Sequence, residues 1–233
     1  MSGASPVASI RPGLPRAFEA LVAAGALVAL WPLLLLIGLV VCLTSPGPAL
    51  FRQQRMGLGG RPFELLKFRT MTSGAAGAQV TASGDRRITA VGRILRASKL
   101  DELPELIHIV RGEMSFVGPR PEVPAFVDLE DRRWREVLAA RPGLTDPVTV
   151  RLRHEEQLLG AICQRTGDDT ETVYRRVLQP FKLRGYAAYL GQRSAIDDLR
   201  IIVLTLRAIV DPDAADPPGV DEILESAEGA YDA

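Results

Sequence analysis

The feature that most limits how this chain can fold is a run of apolar residues, Ala20 to Leu43, that carries no charge. As a straight helix the run would be about 36 Å long, against about 30 Å for the hydrocarbon core of a bilayer. Pro32 lies near its middle, where a proline removes one backbone donor and bends a helix. Each half would then be about 18 Å long, which is too short to cross a bilayer alone.

Arginines flank the run on both sides, and positive charge favours the cytoplasmic side of a membrane. They are Arg11 and Arg16 before it, and Arg52, Arg55 and Arg61 after it. We therefore predict a re-entrant membrane helix over residues 16–44, broken at Pro32, with both ends on the same face. A kinked single span is the alternative, because spanning helices tolerate proline.

Charge is unevenly distributed along the chain. Eight of the 28 acidic residues follow Val210, whereas all 28 basic residues precede it, so residues 1–210 carry a net charge of +8. A basic body of this kind suits an anionic partner such as phospholipid headgroups, nucleotides or nucleic acid. The acidic residues 211–233 are typical of a disordered tail. Two cysteines and two histidines exclude a disulfide framework and a zinc site made by the protein alone.

The remaining pattern predicts a mainly α fold with a small β-hairpin. Residues 1–15 read as a flexible tail and residues 45–210 as one domain. Two extended runs, 49–55 and 62–69, are joined by a glycine-rich turn, and residues 72–85 read as a mobile loop. Apolar periodicity predicts helices at 88–97, 101–111, 130–140, 170–190 and 194–210. The apolar stripe of the last helix could pack in the core or lie on a bilayer surface.

Asp101 and Glu102 open one of these helices, where the helix dipole favours carboxylates. An acidic pair there is more often a cap than a catalyst. Its surroundings suggest more, because cations in the flanking segments could bind a substrate phosphate or keep a nucleophilic carboxylate ionised. The alternative is a surface network of ion pairs. The cations are Lys67, Arg69, Arg96, Lys99 and Arg120.

Six short motifs follow one another along the chain: 45–53 (SPGPALFRQ), 55–57 (RMG), 67–71 (KFRTM), 86–89 (RRIT), 100–104 (LDELP) and 114–122 (MSFVGPRPE). In this order they resemble the bacterial sugar transferases, the monotopic polyprenyl-phosphate phosphoglycosyl transferases. The resemblance implies a monotopic membrane protein in which Pro32 breaks the re-entrant helix. It also implies a catalytic domain on the cytoplasmic face of the bacterial inner membrane.

The resemblance further implies transfer of a phospho-sugar from a UDP-sugar to undecaprenyl phosphate, with release of UMP, as the initiating step of exopolysaccharide, O-antigen or glycoconjugate synthesis. Asp101 would be the nucleophile, forming an aspartyl phospho-sugar intermediate, and Glu102 would assist with magnesium. Asp101 and Glu102 are thus the expected metal-associated residues. Lys67, Arg96 and Arg120 would contact phosphates, with Arg69 as a further candidate. The chain departs from the usual motif at Lys99, where a serine is common.

Three classes of function compete on the sequence. An enzyme is favoured because the acidic pair and its cations are intact. A membrane-anchored scaffold of a glycan assembly complex, with activity lost, is the alternative. A nucleic-acid-binding protein would have no use for the apolar run, and the chain has no recognisable nucleic-acid-binding motif. The expected partners are a UDP-sugar, undecaprenyl phosphate and membrane lipids, with no nucleic acid and a homodimer as a possible assembly.

Overall fold

The computed structural model describes residues 10–72 and 85–228. Helix α1 (Arg16–Thr44) contains Pro32 and is long and apolar enough to cross a membrane. Most of its large apolar side chains face outward, and Leu21 and Val28 are 74% and 73% exposed. Such a surface is poorly solvated by water, which supports association with a membrane. The helix is continuous through Pro32, and its re-entrant topology stays a prediction.

The inner side of α1 is anchored to the rest of the protein at two levels. Near its start, Ala23 packs with Leu106 and Ile109. Near its end, Ile37 and Val41 pack with other apolar side chains, among them Phe68 and Leu95. The helix is therefore fixed to the domain along one narrow side and leaves the other side uncovered.

The predicted hairpin is confirmed. Strands β1 (Leu50–Met56) and β2 (Pro62–Phe68) pair antiparallel, with Leu50 opposite Phe68 and Met56 opposite Pro62. A short 3₁₀ turn at Leu58–Gly60 joins them. The hairpin presents Lys67, one residue before the end of β2, toward Glu102 and Glu105.

Helix α2 (Ala90–Ser98) begins at Thr89, whose side chain accepts a hydrogen bond from the Gly92 amide. It ends at Lys99, which adopts the left-handed conformation with φ 58°. The predicted helix 101–111 is only partly correct, because its first part is a 3₁₀ segment, Leu100–Glu105, followed by helix α3 (Leu106–Arg111). Gly112, with φ 86°, closes α3 in the left-handed conformation that glycine favours at a helix end.

A short parallel pair positions the Gly-Pro-Arg-Pro turn. Strand β3 (Ser115–Val117) pairs with strand β4 (Gly143–Thr145), with Ser115 opposite Gly143 and Val117 opposite Thr145. Helix α4 (Arg132–Leu138) lies between the two strands in the chain. Gly118 and Gly143 meet at the end of this pair, where a Cβ on Gly143 would collide with the Gly118 backbone. The turn that carries Arg120 is therefore fixed by a contact that only glycine permits.

The C-terminal half is helical. Its helices are α5 (Pro147–Arg151), α6 (Glu155–Thr166), α7 (Thr170–Val173), a π-helical turn at Tyr174–Leu178, α8 (Gln179–Gln192), α9 (Ala195–Val210) and α10 (Val220–Glu228). The largest core cluster unites α4 with α6, α8 and α10 around side chains such as Trp134, Leu159 and Leu178.

One prediction about this half requires correction, and the structure bears on one alternative that the sequence left open. The tail 211–233 is not disordered throughout, because α10 inserts Ile223, which is fully buried, into the core. Asp221, Glu222 and Glu225 face outward, while its apolar residues recur at helical spacing. The apolar stripe of α9 is largely exposed, including Val203 and Leu206, so core packing does not account for it. The predictions for residues 1–9, 73–84 and 229–233 lie outside the described residues.

Candidate active site

The acidic pair lies at the start of the 3₁₀ segment, directly after the left-handed turn at Lys99. Asp101 and Glu102 are both buried, at 7% and 8% exposure. Within residues 10–72 and 85–228, the Asp101 Oδ1 atom is buried and has no hydrogen-bond partner. An uncommitted carboxylate oxygen is costly to bury, and it is the kind of atom that a nucleophile or a metal ligand requires.

Glu102 is held by two cations from different parts of the chain. Lys67 Nζ, from β2, lies 2.9 Å from Glu102 Oε1, and Arg120 pairs with the same oxygen from the Gly-Pro-Arg-Pro turn. Lys67 Nζ also lies 3.1 Å from Oε1 of Glu105, which is almost fully buried. The structure thus brings Lys67 and Arg120 to the acidic pair and adds Glu105, which the sequence did not single out.

The two adjacent carboxyls have pKa values shifted in opposite directions. Burial and the negative charge of Glu102 raise the pKa of Asp101. Burial opposes the ionisation of Glu102 as well, but the charges of Arg120 and Lys67 prevail and hold the pKa of Glu102 well below its usual range. Glu102 is therefore a fixed anion, whereas Asp101 is the more basic carboxylate.

Lys99 acts electrostatically on both carboxyls of the acidic pair. Glu102 favours its charged form, but burial and the positive charges of Arg120 and Lys67 outweigh that attraction and lower the pKa of Lys99. Its positive charge also favours the ionised form of both carboxyls of the pair. The departure from the usual motif therefore adds a cation to the electrostatic surroundings of Asp101.

The other two predicted phosphate contacts are placed differently. Arg96, on α2, pairs with Glu156, on α6. Arg69 is buried at the end of α1, where its guanidinium donates to the carbonyl oxygens of Val41 and Ser45. These contacts give Arg69 a structural role, because they join the residue after β2 to the C-terminal end of α1. Its predicted contact with a phosphate has no support from this position.

A second polar network lies behind Arg120. The Tyr174 hydroxyl donates to Glu122, the residue that follows the Gly-Pro-Arg-Pro turn, and Lys182 Nζ lies 2.7 Å from Oε1 of Glu155. Lys182 also lies over the Tyr174 ring, 4.8 Å from its centroid. Sequence reasoning missed this network because its members are far apart in the chain and belong to no common motif.

The acidic pair fits a magnesium ion better than a metal that requires a closed protein cage. Magnesium keeps several waters and binds through one or two carboxylates together with substrate phosphates. The free Asp101 Oδ1 and the neighbouring Glu102 carboxylate supply donors of this type. Within the described parts of the chain there is no group of three or more ligating side chains, so a metal held by protein alone has no candidate site.

The acidic pair and its cations lie within a stretch of the chain that matches a known protein family. Residues 11–212 match the family described as bacterial sugar transferase. A UDP-glucose:undecaprenyl-phosphate glucose-1-phosphate transferase of Caulobacter vibrioides is 42% identical over 89% of this chain and 77% of that protein.

Two further relatives match over shorter stretches. A UDP-N-acetylgalactosamine-undecaprenyl-phosphate N-acetylgalactosaminephosphotransferase of Aeromonas hydrophila is 39% identical over 57% of the chain and 32% of its own length. Exopolysaccharide production protein ExoY of Sinorhizobium fredii is 40% identical over 56% of the chain and 65% of its own length.

Proposed function

Because the chain belongs to the bacterial sugar transferase family, we propose that it transfers a sugar phosphate from a UDP-sugar to undecaprenyl phosphate. The observation that carries the proposal is the pairing of an uncommitted, buried Asp101 carboxylate with a Glu102 fixed by Lys67 and Arg120. A diphosphate repels an anionic attacker, so cations around the carboxylate are what such a reaction requires. The named activities of the relatives agree with this chemistry.

In the first half-reaction, a carboxylate oxygen of Asp101 attacks the phosphorus that bears the sugar. A phosphorus–oxygen bond to Asp101 forms, and the bond to the UMP phosphate breaks, so UMP leaves with the electron pair. In the second, a phosphate oxygen of undecaprenyl phosphate attacks the same phosphorus. The bond to Asp101 breaks, the lipid diphosphate sugar is released, and the carboxylate is restored.

The side chains around Asp101 neutralise negative charge and bind phosphate. Lys67 and Arg120 pair with Glu102, and the positive charges of Lys67 and Lys99 favour the ionised carboxylate of Asp101. Asp101 and Glu102 would hold magnesium, which supplies additional neutralisation of phosphate charge. Arg120 stands on a turn fixed by the glycine contact behind it, so its guanidinium is preorganised for a phosphate.

The membrane element suits a lipid acceptor. We propose that α1 enters the inner membrane from the cytoplasmic face and returns to it, with the exposed apolar side of α9 lying on the bilayer. A domain held beside the bilayer searches for its lipid substrate in two dimensions. Cytosol-specific labelling of tags at each terminus tests the topology: labelling of both tags is expected, and protection of either would contradict it.

The test of the activity uses membranes that contain the protein, with magnesium, undecaprenyl phosphate and a panel of UDP-sugars. UDP-glucose and UDP-N-acetylgalactosamine are the first donors to examine, since they correspond to the relatives' names. Release of UMP together with a sugar-bearing lipid is expected with at least one donor. No release with any donor would contradict the proposed function.

A further inference from the structure

Arg96 is held by a residue that lies far from the acidic pair in the chain. Its guanidinium pairs with Glu156 in the first turn of α6, which joins α2 to the C-terminal helices. A second contact supports the same junction, since Arg153 Nη2 lies 3.1 Å from the carbonyl oxygen of Ala97. The end of α2 is therefore fastened to the segment that begins α6.

This arrangement separates Arg96 from the other cations of the site. Lys67 and Arg120 are both fixed by Glu102, a member of the acidic pair. Arg96 is fixed from outside the pair, yet its charge acts on Asp101, where it favours the ionised carboxylate. It therefore lies near the edge of the site and depends on Glu156 for its position.

The guanidinium of Arg96 retains the capacity to bind a ligand. An arginine has five N–H donors in a fixed fork, and the pairing to Glu156 is made through Nη2. The side chain is 28% exposed, so its remaining donors can reach a molecule that enters from solvent. A long side chain without an anchor would lose conformational entropy on binding, and Glu156 removes part of that cost in advance.

We propose that Glu156 is a positioning residue that holds Arg96 at the edge of the acidic pair, ready to bind the diphosphate of the nucleotide sugar. The inference rests on the proposed function and extends it to a residue outside the recognised motifs. It also makes the first turn of α6 part of the donor site.

The test compares Glu156→Ala with Glu156→Asp, Arg96→Ala and the double variant Glu156→Ala/Arg96→Ala. The donor is the UDP-sugar that gives UMP with the wild type, beginning with UDP-glucose. Asp221→Asn is the matched control, because it removes a different and exposed ion pair of α6, that of Arg165. Steady-state kinetics are measured for each variant, together with its thermal unfolding midpoint.

Glu156→Ala should raise KM for the UDP-sugar about tenfold and change kcat little, since a contact made in both ground and transition states is lost. Glu156→Asp should recover much of that loss, and Asp221→Asn should behave as the wild type. In the Arg96→Ala background, removal of Glu156 should have no further effect, because residues that act through one another are not additive.

Two results would overturn the inference while leaving the proposed function intact: an unchanged KM in Glu156→Ala, whether or not kcat and the unfolding midpoint fall, or additive effects in the double variant. A wild type that releases UMP from no donor would instead overturn the proposed function, and this inference with it.

Discussion

Lys67 Nζ lies 2.9 Å from Glu102 Oε1 and so ties the hairpin to the second residue of the acidic pair. The same ammonium group lies 3.1 Å from the buried Glu105. One lysine thus offsets two carboxyls, while Asp101, next to Glu102 in the chain, is left without a partner for Oδ1 among the described residues. Glu102 is thus an anion held by a cation, whereas Asp101 has a carboxylate oxygen without a partner among the described residues. The proposed mechanism depends on this difference.

Removing that lysine should affect both stability and activity. Lys67→Met leaves Glu102 and Glu105 buried without their shared cation, which should lower the free energy of unfolding by about 3 kcal/mol and nearly abolish UMP release. Denaturant unfolding in detergent measures the first effect. Arg52→Ala is the control, because its pair with Glu64 on the same hairpin is exposed and should contribute less than about 1 kcal/mol. Equal stability of the two variants would contradict the account.

Asp101, the proposed nucleophile, should destabilise the folded protein when it is ionised. Because the pKa of Asp101 is raised in the folded protein, its contribution to stability is present below the ordinary value of 3.8 and is lost as pH rises through the folded pKa. Asp101→Asn should therefore be more stable than the wild type near neutral pH, by about 1 kcal/mol in magnesium-free buffer, while it has no activity. The gain should shrink as pH falls toward 3.8.

Thermal unfolding between pH 3.8 and neutral pH shows whether Asp101→Asn is more or less stable than the wild type. Asp131→Asn serves as the control, because Arg133 holds the pKa of Asp131 below its usual value and this variant should gain nothing at neutral pH. A loss of stability in Asp101→Asn near neutral pH would show that the carboxylate has a structural partner.

The attachment of α1 should depend on a buried glutamate. Glu19 is 2% exposed and accepts a hydrogen bond from the Phe116 amide at 2.9 Å, which joins α1 to β3. Glu19→Ala leaves that amide without its acceptor and should cost about 1–3 kcal/mol, whereas Glu19→Gln keeps an acceptor and should cost less. Hydrogen exchange at the Phe116 amide measures the effect locally. Equal exchange rates in the two variants would argue against the contact.

Helix α10 should contribute to the stability of the whole domain. Ile223 is fully buried in the largest core cluster, so Ile223→Ala should lower the free energy of unfolding by about 2–4 kcal/mol. Glu225→Ala, on the exposed side of the same helix, should change it by no more than about 0.5 kcal/mol. A disordered tail would make the two substitutions equivalent, and denaturant unfolding distinguishes the cases.

The elements that the sequence predicted well are those with local signals. The hairpin follows from two extended runs around a glycine-rich turn, and α9 begins at Ser194, whose side chain accepts a hydrogen bond from the Asp197 amide. The association of Lys67 and Arg120 with the acidic pair was expected from motif order, and the structure adds the distances.

The features that the sequence missed depend on tertiary contacts. Glu105 has no local signal, since a glutamate in a helix normally faces solvent, and only the packing under Lys67 makes it a buried partner. Arg69 was a candidate phosphate contact because it lies in a segment flanking the acidic pair. The sequence did not indicate that its guanidinium donates to carbonyl oxygens at the end of α1, and its contact with a phosphate stays a prediction. Glu156 and α10 belong to the region beyond the recognisable motifs, where neither spacing nor charge indicates the contact partners.

The most direct test of the account is a search for the covalent intermediate. The purified protein is incubated with magnesium and the active UDP-sugar, without undecaprenyl phosphate, and intact mass and peptide mapping are then recorded. We expect a mass increase of one sugar phosphate located on Asp101, its absence in Asp101→Asn, and its loss when undecaprenyl phosphate is added. Transfer of sugar phosphate to the lipid by Asp101→Asn, or an adduct on another residue, would contradict it.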